Sequence, residues 1–308
     1  MSFSKNLKGT YGIAWSASNK NIPYCDDWCS NAYCNAFSQN GRGDLQRLKN
    51  LGFNLVRTYY WDPERSHQLF LQEADRVKIG VEVPISNNLV SSRDIRSITK
   101  LVNEAKVYNC VKVYTVGNEM SGNDADNIAW ALAEVAKLDP DRPVMHSSIY
   151  DDSFATMKNI IRRLDEFTFQ RFIAGINMYF YSNNPRQWGD CLQGSVNKWY
   201  KDPMLKKIPM IISEIGYAGN NEDASFDAIH NTLYGGFCAI QNFPNFLGLE
   251  LFSWRNERWK GASSNESSYG LCQEDDLNTP RKQYYAVQNF KNAGFYDAIM
   301  KQFRPFLD

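Results

Sequence analysis

Two glutamates in this sequence each follow an apolar run. Glu119 closes Val116-Gly117-Asn118-Glu119 after the run Val111–Val116, and Glu214 stands in Ser213-Glu214-Ile215-Gly216 after Ile208–Ile212. Runs rich in β-branched residues read as buried parallel strands. A carboxylate just past such a strand lies at its C-terminal end, and in a parallel barrel all those ends open on one face. Two carboxyl groups far apart in sequence can therefore meet at one mouth. Such a pair is the minimum equipment for cleaving a glycosidic bond: one protonates the leaving oxygen and the other attacks the anomeric carbon. Like charges close together raise one pKa and so separate the roles.

The ends of the other strand-like runs are polar and aromatic. The second ends in Arg57-Thr58-Tyr59-Tyr60-Trp61, the third near Asn87 and Asn88, the fifth in His146-Ser147-Ser148, the sixth in Asn177-Met178-Tyr179-Phe180-Tyr181, and the eighth in Trp254-Arg255-Asn256-Glu257. Arg57 is suited to holding a carboxylate ionised, a tyrosine hydroxyl of the sixth run to hydrogen-bonding it, and Asn118 to reaching a sugar 2-hydroxyl. Tyr181 and Trp61 read as pocket walls, Glu257 as a rim residue and Trp254 as a sugar platform. Plainer readings stand beside these. Asn118-Glu119 can be a turn with a solvated carboxylate, Glu214 a structural partner of Arg57, and His146 a hydrogen-bonded structural histidine. A carbohydrate-binding barrel without catalysis would use the same mouth but need not keep both glutamates. A cell-wall or capsid-associated structural protein, using its Cys-rich loop for contacts, is a third reading.

The elements that must position these groups alternate from end to end. Strands are expected at Tyr11–Trp15, Asn54–Tyr60, Val81–Ile85, Val111–Val116, Pro143–Ile149, Ala174–Phe180, Ile208–Ile212 and Phe246–Trp254. Helices are expected at Leu45–Asn50 (capped by Asp44), Glu64–Lys78, Ser91–Tyr108, Asp124–Leu138, Phe154–Leu164, Val196–Tyr200, Phe226–Ile240 and Arg281–Asn292. Ile95, Ile98, Leu101, Val102 and Ala105 illustrate the helical spacing. Eight strands alternating with eight helices predict an α/β fold, a (β/α)8 TIM barrel. It is expected as a single domain over residues 1–308 with a Cys-containing loop at about 16–42. A doubly wound open sheet is the alternative, but no Gly-rich turn follows the first strand, as a nucleotide site would require.

Composition narrows the partners. The 308 residues carry 34 Lys and Arg against 34 Asp and Glu, so nothing favours nucleic acid. Aromatics make up 14%, including 8 Trp and 17 Tyr, which suits stacking on the rings of an oligosaccharide or polysaccharide. No apolar segment approaches the length of a membrane span, and the first residues lack a secretory stretch. The protein is thus expected in the cytoplasm or, with a signal removed, outside the cell or at its wall. It is expected to be a monomer. No His/Asp/Cys cluster has ligand spacing, so no metal or organic cofactor is expected. Of seven Cys, Cys25, Cys29 and Cys34 cluster in the first loop. A disulfide within that cluster, or from it to a distant Cys, would imply an oxidising compartment. Cys110 and Cys238 read as buried thiols.

These motifs resemble the clan A glycoside hydrolases over nearly the whole chain, Tyr11 to Asn292. Asn118-Glu119 is similar to the clan's Asn-Glu pair and Glu214 in Ser-Glu-Ile-Gly to its nucleophile motif. Asn54-Leu55-Val56-Arg57-Thr58-Tyr59, with Asp62-Pro63 and His67, resembles the second-strand region of the β-1,3-glucan enzymes of families 17 and 72. Asn177-Met178-Tyr179-Phe180-Tyr181 is similar to the family 17 Asn-x-Tyr-x-Tyr. Tyr217 stands where family 17 usually has Trp-Pro, and Phe252–Lys260 resembles a segment of family 2- and 17-like bacterial sequences. The resemblance implies a retaining barrel enzyme acting on β-glucan, β-1,3-linked before β-1,4, β-1,6 or β-mannan. Glu119 would be acid/base and Glu214 nucleophile, with Tyr179 and Arg57 supporting it.

Overall fold

Valine, isoleucine and leucine dominate the runs that become strands. In the computed structural model, which describes residues 6–18, 27–180, 184–219, 221–260 and 265–303, these runs form one closed parallel barrel in the order β1 to β8. The strands are β1 (Thr10–Ala14), β2 (Leu55–Arg57), β3 (Gly80–Ile85), β4 (Val111–Asn118), β5 (Val144–Ile149), β6 (Phe172–Asn177), β7 (Met210–Ile215) and β8 (Phe246–Leu251). The (β/α)8 expectation is met.

Several boundaries differ, each for a pairing reason. β2 is shorter than expected and ends at Arg57, because its register with β1 and β3 runs out there. Tyr59 therefore lies in the loop above the barrel. β8 likewise stops at Leu251 rather than Trp254. β7 extends further than expected, since Asn177 pairs with Glu214 across an irregular register.

Around the barrel run α1 (Cys34–Phe37), α2 (Asp44–Asn50), α3 (Gln68–Val77), α4 (Asn87–Ser91), α5 (Ile95–Ala105), α6 (Ala125–Leu138), α7 (Ala155–Ile161), α8 (Glu166–Phe169), α9 (Trp188–Lys201), α10 (Glu222–Asn242), α11 (Lys282–Asn292) and α12 (Phe295–Phe303). The expected Ser91–Tyr108 helix is split, with Arg93 in the left-handed region at φ 52°. Asp94 restarts it by accepting from the Ser97 N–H at 3.1 Å. α5 then buries Ile98, Leu101, Val102 and Ala105. Each larger side chain among these contributes roughly 1.5–3 kcal/mol on burial. Asp44 is not a cap. Its buried carboxylate accepts from Trp15 Nε1 at 2.9 Å and Asn278 Nδ2 at 2.7 Å and pairs with Arg42 at 2.6 Å.

The barrel interior changes character from bottom to top. Leu7, Val113, Met145, Ile173, Ile211 and Leu247 form a separate apolar cluster near the strand N-termini. Above it come Glu82, Thr115 and Glu250, and above those Arg57 and Asn177, all buried. The outward-facing residues of the same strands join the main core under the helices.

Cys34, Cys110, Cys191, Cys238 and Cys272 carry free thiols. The disulfide from the cluster to a distant Cys is therefore not formed, and Cys25 lies outside the described residues. Cys110 is buried as expected and Cys238 half-buried. Among the described residues no helix is long and apolar enough to cross a membrane.

β8 closes on β1 where Thr10 pairs with Gly248. Gly248 has φ +149°, and a Cβ there would lie 1.9 Å from the Thr10 carbonyl oxygen. Gly248→Ala is expected to open this seam and cost about 3 kcal/mol or more. Denaturant midpoints would measure it; an unchanged midpoint would contradict this account of the closure.

Candidate active site

Arg57 occupies the centre of the barrel mouth and is 1% exposed. Its Nη1 donates to the Ser213 carbonyl and to Asn177 Oδ1 at 3.3 Å, and pairs with Glu214 Oε1 at 3.2 Å. Nη2 donates to Asn118 Oδ1 at 2.8 Å, and Nε pairs with Glu82 Oε1 at 3.1 Å. One rigid planar cation thus reaches strands β3, β4, β6 and β7. Burial alone would lower its pKa, but its neighbours, Tyr59 first and then Glu214, Glu82 and Glu250, more than offset that and raise it.

Glu214, 5% exposed, takes two tyrosine hydroxyls besides Arg57. Tyr59 Oη donates to Oε1 at 3.1 Å and Tyr179 Oη to Oε2 at 2.6 Å. Both tyrosine pKa values are raised, by burial and then by the Glu214 charge. The phenols therefore stay protonated and act as donors. Hydrogen bonds to an ionised acceptor are roughly twice as strong as neutral ones and favour the ionised form.

Glu119 faces the same space from the end of β4. It is solvent-exposed and sits at φ 55°, after Gly117 at φ 68°. A left-handed Glu costs on the order of 1–3 kcal/mol and persists only where neighbours over-determine it. Here they do. The Glu119 N–H donates to the Ser147 carbonyl at 2.8 Å, and Asn87 clamps Asn118 through both its N–H (2.7 Å) and its carbonyl (2.9 Å). Asn177 links Glu119 to Arg57. Its Nδ2 donates to Glu119 Oε1 at 2.8 Å and Asn118 Oδ1 at 3.0 Å, while its Oδ1 accepts from Arg57 and from Ser213 Oγ at 2.8 Å.

These groups floor a cleft of about 490 Å³ with walls that include Trp15, Trp28, Phe252, Trp259, Lys260 and Tyr269. Trp28 and Trp259 meet at 5.3 Å between ring centroids. Glu257 lines the cleft and pairs with Lys260 at 2.8 Å. Trp28 follows Asp27, whose carboxylate accepts from the backbone N–H groups of Cys29, Ser30 and Asp62 and from His67 Nε2 at 2.9 Å. His67 Nδ1 donates to Glu104 at 2.9 Å. Both ring nitrogens face carboxylates, and these bonds raise the His67 pKa although burial opposes them.

The structure brings together Glu119, Glu214, Arg57, Tyr59, Asn118, Tyr179 and Glu257. It does not bring Trp254 to the mouth. Trp254 is 1% exposed and packs near Tyr284, because β8 ends three residues earlier and the chain turns inward. Trp61 is also core, stacked on His67 at 4.3 Å. Tyr181 lies outside the described residues. His146 is buried below the mouth, bonded through Nδ1 to the Val116 carbonyl at 2.7 Å. Sequence reasoning missed Glu82, Glu250 and the bridging role of Asn177. A usable signal was there: Val81-Glu82-Val83 and Leu249-Glu250-Leu251 each put one carboxyl into a buried apolar strand, which requires a partner.

The sequence matches no protein-family model and no curated protein. The fold is similar to that of a GH2 β-galacturonidase from Eisenbergiella tayi, with TM-score 0.67 and 16% identity over 92% of this chain and 50% of that one. It is similar to a β-D-glucuronidase from Dictyoglomus thermophilum, with TM-score 0.66 and 13% identity over 92% and 50%. It is also similar to Saccharomyces cerevisiae Gas2p in complex with laminaritetraose and laminaripentaose, with TM-score 0.62 and 16% identity over 91% and 62%. The chain spans about half the length of the two β-uronidases. What is shared at these identities is the barrel fold.

Burial lowers the His146 pKa to about 4. The unfolded chain takes up a proton near pH 6.5 that native His146 refuses until about pH 4. Stability from this site is complete above pH 6.5 and is lost as pH falls toward 4, by about 3 kcal/mol. His146→Asn is expected to flatten the stability profile in that window when denaturant midpoints are measured against pH. An equally steep profile in the variant would contradict the neutral, buried imidazole.

Proposed function

We propose that this chain is a retaining β-glycosidase acting on a β-glucan, β-1,3-linked in the first instance. The observation that carries the reading is the unequal treatment of two carboxylates in one cleft. Glu214 is buried and receives Arg57, Tyr59 and Tyr179, as a nucleophile that must stay ionised would. Glu119 is exposed and receives Asn177, as a group that exchanges protons with substrate and water would.

In the first step Glu119 protonates the leaving sugar's oxygen as Glu214 Oε attacks the anomeric carbon. The glycosidic C–O bond breaks and a covalent glycosyl-enzyme forms. Tyr59 and Tyr179 then release a charge they had been solvating. In the second step Glu119 takes a proton from the acceptor, whose oxygen displaces Glu214. Water as acceptor gives hydrolysis, and a sugar hydroxyl gives transfer. Asn118 has its Oδ1 occupied by Arg57 and Asn177, which leaves its amide N–H for the sugar 2-hydroxyl. Trp28, Trp259 and Tyr269 would offer ring faces along the cleft, and Glu257 and Lys260 a polar edge. The Gas2p complex with laminari-oligosaccharides, β-1,3-linked glucose oligomers, supports that linkage on a similar barrel.

The test is product analysis on β-1,3-, β-1,4- and β-1,6-glucans and β-mannan. Turnover is expected first on the β-1,3-glucan, and Glu214→Gln is expected to lose at least about 10³-fold in kcat. Products longer than the substrate would mark transfer. Binding of the glucan without turnover would favour a carbohydrate-binding barrel, and full activity in Glu214→Gln would remove the nucleophile assignment.

A further inference from the structure

Beneath the mouth, three carboxyl groups surround one guanidinium. Arg57 pairs with Glu214 at 3.2 Å and with Glu82 at 3.1 Å. Glu250 of β8 reaches the same space: a Cβ on Gly12 of β1 would come within 2.7 Å of Glu250 Cγ. Glu82 and Glu250 are both 0% exposed. Neither Glu82 Oε2 nor either oxygen of Glu250 meets a donor from another described residue. Each carboxyl lies close enough to the other to influence its pKa, and the Glu82 charge is, after burial, the second cause that raises that of Glu250. Two carboxylates cannot hydrogen-bond; an acid and a carboxylate can. Three buried negative charges on one Arg would also leave two uncompensated, at a cost that proteins avoid by taking up a proton.

We propose that Glu250 is a neutral carboxylic acid that donates its proton to the Glu82 carboxylate, and that this acid–carboxylate pair is the positioning unit that holds Arg57 against Glu214. The partners decide which member is the acid. Glu82 Oε1 receives both Arg57 and the Thr115 hydroxyl, the latter at 2.5 Å, so Glu82 is the anion. Among the described residues Glu250 has no cation of its own at ion-pair distance. Burial raises the pKa of both, that of Glu250 the further, with the Glu82 charge as its second cause. Among the described residues, the other titratable groups whose charges act on the pair are Arg57 of β2 and Glu214 of β7. Thr115 of β4 and Gly12 of β1 bring no charge. The catalytic part of this inference rests on Glu214 being the nucleophile, whereas the protonation state does not.

Two measurements separate those parts. The first is infrared absorption of protonated carboxyl groups at neutral pH, taken in Glu119→Gln protein so that the proposed general acid contributes nothing. A protonated-carboxyl band is expected, lost in Glu119→Gln/Glu250→Gln and shifted in Glu119→Gln/Gly12→Ala, which crowds Glu250 while keeping both carboxyls. No band in the parent, or a band that neither substitution changes, overturns the acid assignment whatever the enzyme's substrate. The second is the acid limb of kcat/KM against pH. Glu82→Gln leaves Arg57 less neutralised and should move that limb to lower pH by about one unit. Glu250→Gln replaces an acid by a neutral donor and should leave the limb within a few tenths of a unit. Equal shifts in the two variants overturn the pair's division of charge.

Discussion

A single buried guanidinium holds this site together. Arg57 is the third and last residue of a three-residue strand, yet its five N–H groups reach four other strands. It orders Asn118 and Asn177, pairs with Glu214 and sits over Glu82. Sealed from water, these contacts act in a low dielectric, where an unpaired member would cost several kcal/mol. The interior beneath follows from that demand. Apolar side chains fill the barrel near the strand N-termini. Higher up the filling becomes carboxyl, hydroxyl and amide groups because a charge must be compensated there.

The two carboxylates differ because the strand ends that carry them differ. β7 continues through Glu214, so its side chain is fixed between two tyrosines and Arg57. β4 breaks at Asn118, and the left-handed turn at Glu119 lifts its carboxyl into the open cleft. One backbone geometry thus gives a buried anion and the other a solvent-facing group. The Asn177 side chain bonds Glu119 directly and reaches the Glu214 carboxylate through Arg57. The aromatic walls are held separately, by loops rather than strands. Asp27 and His67 tie the loop bearing Trp28 to α3, and Trp259 follows the end of β8.

Much of this was legible in the sequence because strand and helix periods are local. The eight apolar runs and the two glutamates after the fourth and seventh gave the barrel and its mouth. Arg57, Tyr59 and Tyr179 could be placed at that mouth because they follow runs of unmistakable period. Strand ends were less legible. Where β2 and β8 stop depends on register with neighbours, which pattern alone does not carry. That is why Trp254 was read as a platform and lies in the core, and why Trp61 was read as a wall and stacks on His67. The buried charge network was hidden for another reason. Glu82 and Glu250 are 168 residues apart (250 − 82) and acquire meaning only once the barrel closes and buries both.

On the proposed function, Arg57, Tyr59 and Tyr179 prepare Glu214 to become covalently bonded to sugar. The most direct test is trapping with a 2-deoxy-2-fluoro β-glucosyl or β-1,3-diglucosyl fluoride, followed by peptide mass spectrometry. The fluorine slows both steps and the good leaving group spares the first, so the glycosyl-enzyme accumulates. One added glycosyl group is expected on the peptide containing Glu214, formed at a rate that falls in step with activity when Arg57→Lys is compared with wild type. A label on Glu119, on Glu257 or on no residue of a turning-over enzyme would contradict that proposal.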